Sequence, residues 1–191
     1  MTGRLTIRSW CESDIDPYAE LVADPQVMRL IGNGKPRGRA SAEREVRWFM
    51  DEIACRGWSR FAIEHKTEGF IGYIGFAQKP DGIDFGGRLA RRCWGRHGIA
   101  FDSFMQTLEL GFDELGFDRV YTTTDPRNRS ALRINLKAGF EPVAETAMTE
   151  GNLIRCELSR ARYRSGRGHE PMPLIVMDRR APPRAMQALA S

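Results

Sequence analysis

The sequence predicts an α/β (α+β) domain: one mixed, mostly antiparallel sheet with helices on both faces. Three observations carry this. Segments with apolar residues at three- and four-residue steps alternate with short β-branched or alternating runs, so helices and strands are interleaved. Two pairs of strand-like runs are joined by short turns, Lys66-Thr67-Glu68-Gly69 and Glu150-Gly151-Asn152, as in antiparallel hairpins. A strand, a long helix and another strand then succeed one another at 83–89, 98–115 and 119–124, which makes the sheet mixed.

Taken in order, Leu5-Thr6-Ile7-Arg8 alternates like a first strand. Ser13 or Asp14 can cap the helix at 15–23, and Pro17 is tolerated in its first turn. A short helical turn is expected over 25–31, then a glycine-rich basic connection over 32–39 that no strand precedes. Ser41 is read as the cap of a helix with Val46, Phe49, Met50 and Ile53 on one side, ended by Gly57. Strands follow at 58–65 and 70–76, where Gly72 and Gly75 either belong to a functional string or make room for close packing. After Phe140, runs at 142–148 and 153–159 form the closing hairpin.

Length and composition suit a single globular domain. The chain has 191 residues, 41% hydrophobic and 28% charged. No apolar run reaches the length of a membrane span, and the first residues lack the apolar core of a secretory signal. Cys11, Cys55, Cys93 and Cys156 are widely spaced with no C-x-x-C, so a reduced, cytoplasmic chain is expected. His65, His97 and His169 are too far apart for a metal motif, and no metal is expected. Residues 161–191 hold six Arg against Glu170 and Asp178, leaving 23 basic and 23 acidic side chains in residues 1–160. The basic excess is a property of the tail, which argues against a nucleic-acid-binding core.

The stretch from Asp84 to Phe140 carries the chemistry. A strand-like segment is followed by a short basic run and by Trp94-Gly95-Arg96-His97-Gly98-Ile99-Ala100, which opens the long helix. Free N–H groups at that helix start, with the positive end of its dipole, suit a phosphate. Neither G-x-x-x-x-G-K-[ST] nor G-x-G-x-x-G occurs at this point. Beyond the second strand, Asn128, Arg133, Lys137, Gly139 and Phe140 stand at the spacings of N-x-x-S-x-R-x-x-x-K-x-G-F.

These pieces, in this order, resemble the GNAT superfamily of acetyl-CoA-dependent N-acetyltransferases, and within it the ribosomal-protein N-terminal acetyltransferase branch. The resemblance covers about residues 3–160. It implies a GNAT domain at 1–160 with an Arg/Pro-rich extension at 161–191. It implies direct acetyl transfer from acetyl-CoA to a protein N-terminus or a small-molecule amine, the loop at 32–39 bordering the acceptor pocket. The pantetheine arm would pair with the strand near Leu89. The pyrophosphate would lie on the N–H groups of Arg96, His97, Gly98, Ile99 and Ala100, with Gly95 allowing close approach and Arg91 adding charge. Asn128, Ala131 and Lys137 would complete the cofactor site.

The chain departs from the family pattern in three places. The usual strand Glu falls at Phe85, so neighbouring Asp84 serves as base if a bulge at Gly86-Gly87 shifts the register. The glycine turn is one residue longer than W-G-x-G-x-A. The family Ser falls at Ala131, leaving Ser130 beside it as the hydroxyl candidate, and the tyrosine acid of other branches falls at Asn135. Two other readings stay open: a catalytically weak CoA-binding regulatory module, and a ribosome- or RNA-associated protein using the basic tail. Within that tail, 161–170 is expected to be a flexible linker. The apolar run 174–177 is expected to be a latch on its own sheet or a partner subunit's, as in a homodimer, or part of an unstructured extension.

Overall fold

The computed structural model describes residues 5–95, 98–143 and 153–166. Strand β1 (Leu5–Arg8) leads through a 3-10 turn (Glu12–Asp14) into α1 (Ile15–Ala23), α2 (Pro25–Met28) and α3 (Arg39–Arg56). Strands β2 (Arg60–His65), β3 (Gly69–Lys79) and β4 (Gly82–Leu89) follow, then a second 3-10 turn (Arg91–Cys93) and α4 (Ile99–Glu109). The rest is β5 (Arg119–Thr124), α5 (Arg129–Lys137), β6 (Glu141–Pro142), β7 (Ile154–Ser159) and α6 (Arg160–Gly166). The described strands form one sheet in the order β1-β2-β3-β4-β5-β7-β6, antiparallel except between β4 and β5. No helix among the described residues is long and apolar enough to cross a membrane.

Two cores sandwich the sheet, because successive strand residues face opposite ways. Phe76, Phe85, Phe104, Phe112 and Phe140 fill the side of α4, α5 and α6. Trp10, Tyr18, Val46, Phe49 and Tyr73 fill the side of α1 and α3. Gly72 and Gly75 act through close packing: at φ 147° and 152°, a Cβ would lie 2.0 Å from Arg88 O and 2.3 Å from Ser59 O. Only glycine allows those backbones to approach so closely.

Two boundaries differ from the sequence reading. Helix α3 starts at Arg39, with Gly38 rather than Ser41 at its cap. Its end is as expected, with Gly57 at φ 81° donating to Ile53 O. Residues 161–166 are helical rather than a linker. Tyr163 is buried against Phe112, with ring centroids 4.8 Å apart, and Arg160 and Arg162 donate to the carbonyls of Phe117 and Gly139. The turn at 150–152, most of the run 142–148 and the run 174–177 lie outside the described residues.

The entry into α1 is held by an ion pair. Arg8 donates to both Asp14 oxygens, at 2.7 and 2.8 Å, and Asp14 is 2% exposed. Burial pushes the Asp14 carboxyl up, but bonds from Arg8 and from the Cys11 N–H outweigh it and hold the carboxyl below the usual range. The unfolded chain therefore binds this proton more readily. The stability from Asp14 is complete above its unfolded value, near pH 4, and is lost as pH falls through the lower folded value. Asp14→Asn should cost about 3 kcal/mol at pH 7 and flatten the acid limb. Urea unfolding at pH 7 and pH 3 checks this; an acid limb as steep as wild type would exclude Asp14 as its source.

Candidate active site

Strands β4 and β5 run parallel but pair at one position, Asp84 with Tyr121. Beyond it they part, and a fork opens in the sheet. On its other side β4 pairs with β3 from Gly82 to Leu89 with no break in register. The bulge expected at Gly86-Gly87 is absent. Ala90 N–H donates to Ile71 O at 2.8 Å. Antiparallel bonding alternates, so Gly87 and Leu89 turn their backbone N–H groups toward the fork. Trp94 Nε1 donates to the Leu89 carbonyl at 3.0 Å.

Because β4 and β5 are parallel, the helices that follow them start at the same edge of the sheet and flank the mouth of the fork. Gly98, at φ 78°, precedes α4, whose first bond runs from Asp102 N–H to Gly98 O at 2.8 Å. The N–H groups of Ile99, Ala100 and Phe101 thus have no intrahelical partner and stand at the positive end of the dipole. Lys137 Nζ, 4.1 Å from the Phe101 ring centroid, adds a cation there. On α5, Asn128 caps the helix by accepting the Ala131 N–H at 3.2 Å. An extended chain ending in phosphates fits this arrangement, with a backbone edge to pair with and a helix start to receive the anion.

The polar face of β4 is the one toward α1 and α3. Phe85 points the other way, into the core at 1% exposure, so Asp84 faces this side without any bulge. Arg60, on β2, reaches across β3 at Gly75 to meet it. Its Nη1 donates to Gly75 O at 2.7 Å and Gly86 O at 2.8 Å, and its Nη2 pairs with Asp84. Both partners are mostly buried, with side chains 13% and 17% exposed. Asp84, Tyr121, Thr123 and Arg155 line an open cleft of about 520 Å³. Tyr121 donates to Asp81 at 2.9 Å. Burial and that bond push its phenol up, so it stays protonated at ordinary pH.

The remaining candidate residues are distributed as follows. Arg91 is exposed and pairs with Asp24 at 3.4 Å. Gly95 has φ 70°, Arg96 and His97 lie outside the described residues, and Ser130 is exposed in the first turn of α5. Asn135 is 3% exposed and donates to the Thr122 and Thr124 hydroxyls at 3.0 and 3.2 Å, fastening α5 to β5. Glu64 pairs with Arg8, and Tyr73 is buried among Trp10, Tyr18 and Phe49. Sequence reasoning missed Arg60, Arg88 and Tyr121. The signal for Arg60 was the glycines Gly75 and Gly86, which become informative only once the register sets all three residues side by side.

The sheet is thus forked, with an unpaired strand edge that leads to the start of a helix. A family model described as "Acetyltransferase (GNAT) domain" matches residues 4–141, and the chain belongs to the GNAT acetyltransferase family as an N-acetyltransferase. It is 29% identical over 149 residues to protein YkkB of Bacillus subtilis (strain 168), covering 73% of this chain and 83% of that one. Its fold is similar to that of an acetyltransferase from Agrobacterium tumefaciens str. C58, with TM-score 0.71, 20% identity, and coverage of 83% and 92% of the two chains. It is also similar to a spermidine N-acetyltransferase from Vibrio cholerae in complex with CoA and spermine, with TM-score 0.65, 18% identity, and coverage of 84% and 98%.

Removing the guanidinium from the Arg60–Asp84 pair would leave a carboxylate mostly buried without its partner. Arg60→Met should cost about 3 kcal/mol in urea unfolding, and the double variant with Asp84→Asn less than the sum of the single changes. Strict additivity would show that the pair is not coupled in solution.

Proposed function

We propose that this protein transfers an acetyl group directly from acetyl-CoA to a primary amine, a protein N-terminus or a small molecule. The single observation that carries the reading is the fork, whose free β4 edge runs to the start of α4. The motif spacing from Asn128 to Phe140 supports a place near the ribosomal-protein N-terminal acetyltransferase branch.

When bound, acetyl-CoA supplies an activated acetyl group. Leu89 and Gly87 pair with the pantetheine arm through their backbones. Gly98, Ile99 and Ala100 present N–H groups to the pyrophosphate, Gly95 lets the chain approach, and Arg91, Arg96, His97 and Lys137 add positive charge. Asn128 and Ala131 wall the arm from the α5 side. The N–H groups at the fork favour negative charge as it builds on the carbonyl oxygen. Asp84, lining the cleft, accepts the amine proton, and Ser130 or water returns one to the thiolate. The new amide bond replaces the thioester bond, and free thiol leaves.

Gly98→Val places a β-branched residue at φ 78°, where it is strained. Acetyl-CoA binding by calorimetry should weaken at least tenfold, about 1.4 kcal/mol. Asp84→Asn should lower turnover by roughly 10²–10⁴-fold with little change in acetyl-CoA affinity. The readout is thiol release across a panel of amines. Tight acetyl-CoA binding with no thiol release on any amine would overturn the transfer reading in favour of a binding module.

A further inference from the structure

One cation beside the fork has no anion of its own. Arg37, Arg60 and Arg88 sit on the α1–α3 side of the sheet near the carboxylates of Glu45 and Asp84. Asp84 is taken by Arg60. Glu45 accepts from Arg37 at 2.9 Å and from the Tyr18 hydroxyl at 2.6 Å. Arg88 forms no ion pair among the described residues, and its Nη1 is buried with no hydrogen-bond acceptor. Its guanidinium carbon lies 5.4 Å from the Tyr73 ring centroid, a contact that offsets only part of the cost of burying a charge.

The position of Arg88 says what is missing. Alternation places Asp84, Gly86 and Arg88 on one face of β4. Arg88 is four residues along the strand from the cleft carboxylate and next to the exposed edge of Gly87 and Leu89. Arg88 lies one same-face position beyond Gly86, about 7 Å along the strand, so a molecule whose amine lies beside Gly86 has its neighbouring atoms on the Arg88 side. The guanidinium fork matches a carboxylate in charge and shape. A polycation would instead bring like charge to this guanidinium.

We infer that the acceptor is an amino-acid-like amine whose carboxylate is bound by Arg88. This rests on the transferase reading above and narrows it. The test compares amines that differ only by a carboxylate: L-phenylalanine with phenethylamine, L-lysine with cadaverine, and spermidine as a polycation. The carboxylate-bearing member of a pair should have at least a tenfold higher kcat/KM for thiol release. That ratio should fall toward one in Arg88→Gln and partly survive in Arg88→Lys, which keeps the charge without the fork. Equal use of both members, preference for the plain amine or spermidine, or an unchanged ratio in Arg88→Gln would overturn the assignment. A second arm needs no turnover. N-acetyl-L-phenylalanine and N-acetylphenethylamine are titrated into CoA-loaded protein by calorimetry. A carboxylate preference lost in Arg88→Gln supports the site even if no amine is acetylated, a result that would sink the transferase reading alone. No preference in binding overturns the site.

Discussion

Arg60 spans three strands, from β2 over Gly75 of β3 to the carbonyl of Gly86 and the carboxylate of Asp84 on β4, and the layout of the site depends on that reach. A guanidinium can lie flat on a sheet only where no side chain stands in its way. Gly75 and Gly86 provide that lane, and a Cβ on Gly86 would lie 3.6 Å from the Arg60 Nη1. The cation fixes the direction of Asp84 and covers a patch of sheet that would otherwise need apolar filling. It is itself held from below, because the Arg60 carbonyl accepts the indole N–H of Trp10 at 2.7 Å. The aromatic core under α1 and α3 and the polar cleft beside β5 thus share one residue.

The two faces of β4 divide the work of the strand. Phe85 packs against Phe76, Phe104 and Phe140 at centroid distances of 5.2, 4.6 and 6.3 Å, edge-on to Phe104 and stacked on Phe140, so one face anchors the strand under α4 and α5. The other face is polar and can be polar because Arg60 satisfies it. Anchoring matters at this strand, since it leaves β5 after one paired position. Asn135 does the equivalent for the other arm, binding α5 to two threonines of β5. An amide has donors enough for both hydroxyls but no labile proton to offer a leaving thiolate.

Much of the fold was legible because it rests on local periodicity. The alternating run at Leu5–Arg8 and the β-branched run at Arg119–Thr124 are strands, and the helix after Gly98 begins where a left-handed glycine allows it. The polar cleft was less legible. Asp84 stood out as an acid on a strand and lies on the face opposite Phe85 as alternation requires, but the bulge invoked for it is absent, because register follows from pairing rather than from neighbours in sequence. Arg60 lies 24 residues from Asp84, and Arg88 gives no sign in sequence that its Nη1 lacks an acceptor. Helix α6 was hidden by its arginines, which look solvated until the carbonyls they bind come into view.

A sheet ordinarily has two borders, and both are hazards, since any exposed row of N–H and C=O groups invites another strand. This one has a third, interior border along β4, made by the parting of β5. It lies within the sheet, between the arms of β4 and β5, rather than along an outer rim. A slender chain can still enter and complete the hydrogen-bond ladder that folding left unfinished. The protein thus keeps part of its backbone bonding capacity in reserve, where it can be spent on a ligand and withheld from other copies of itself.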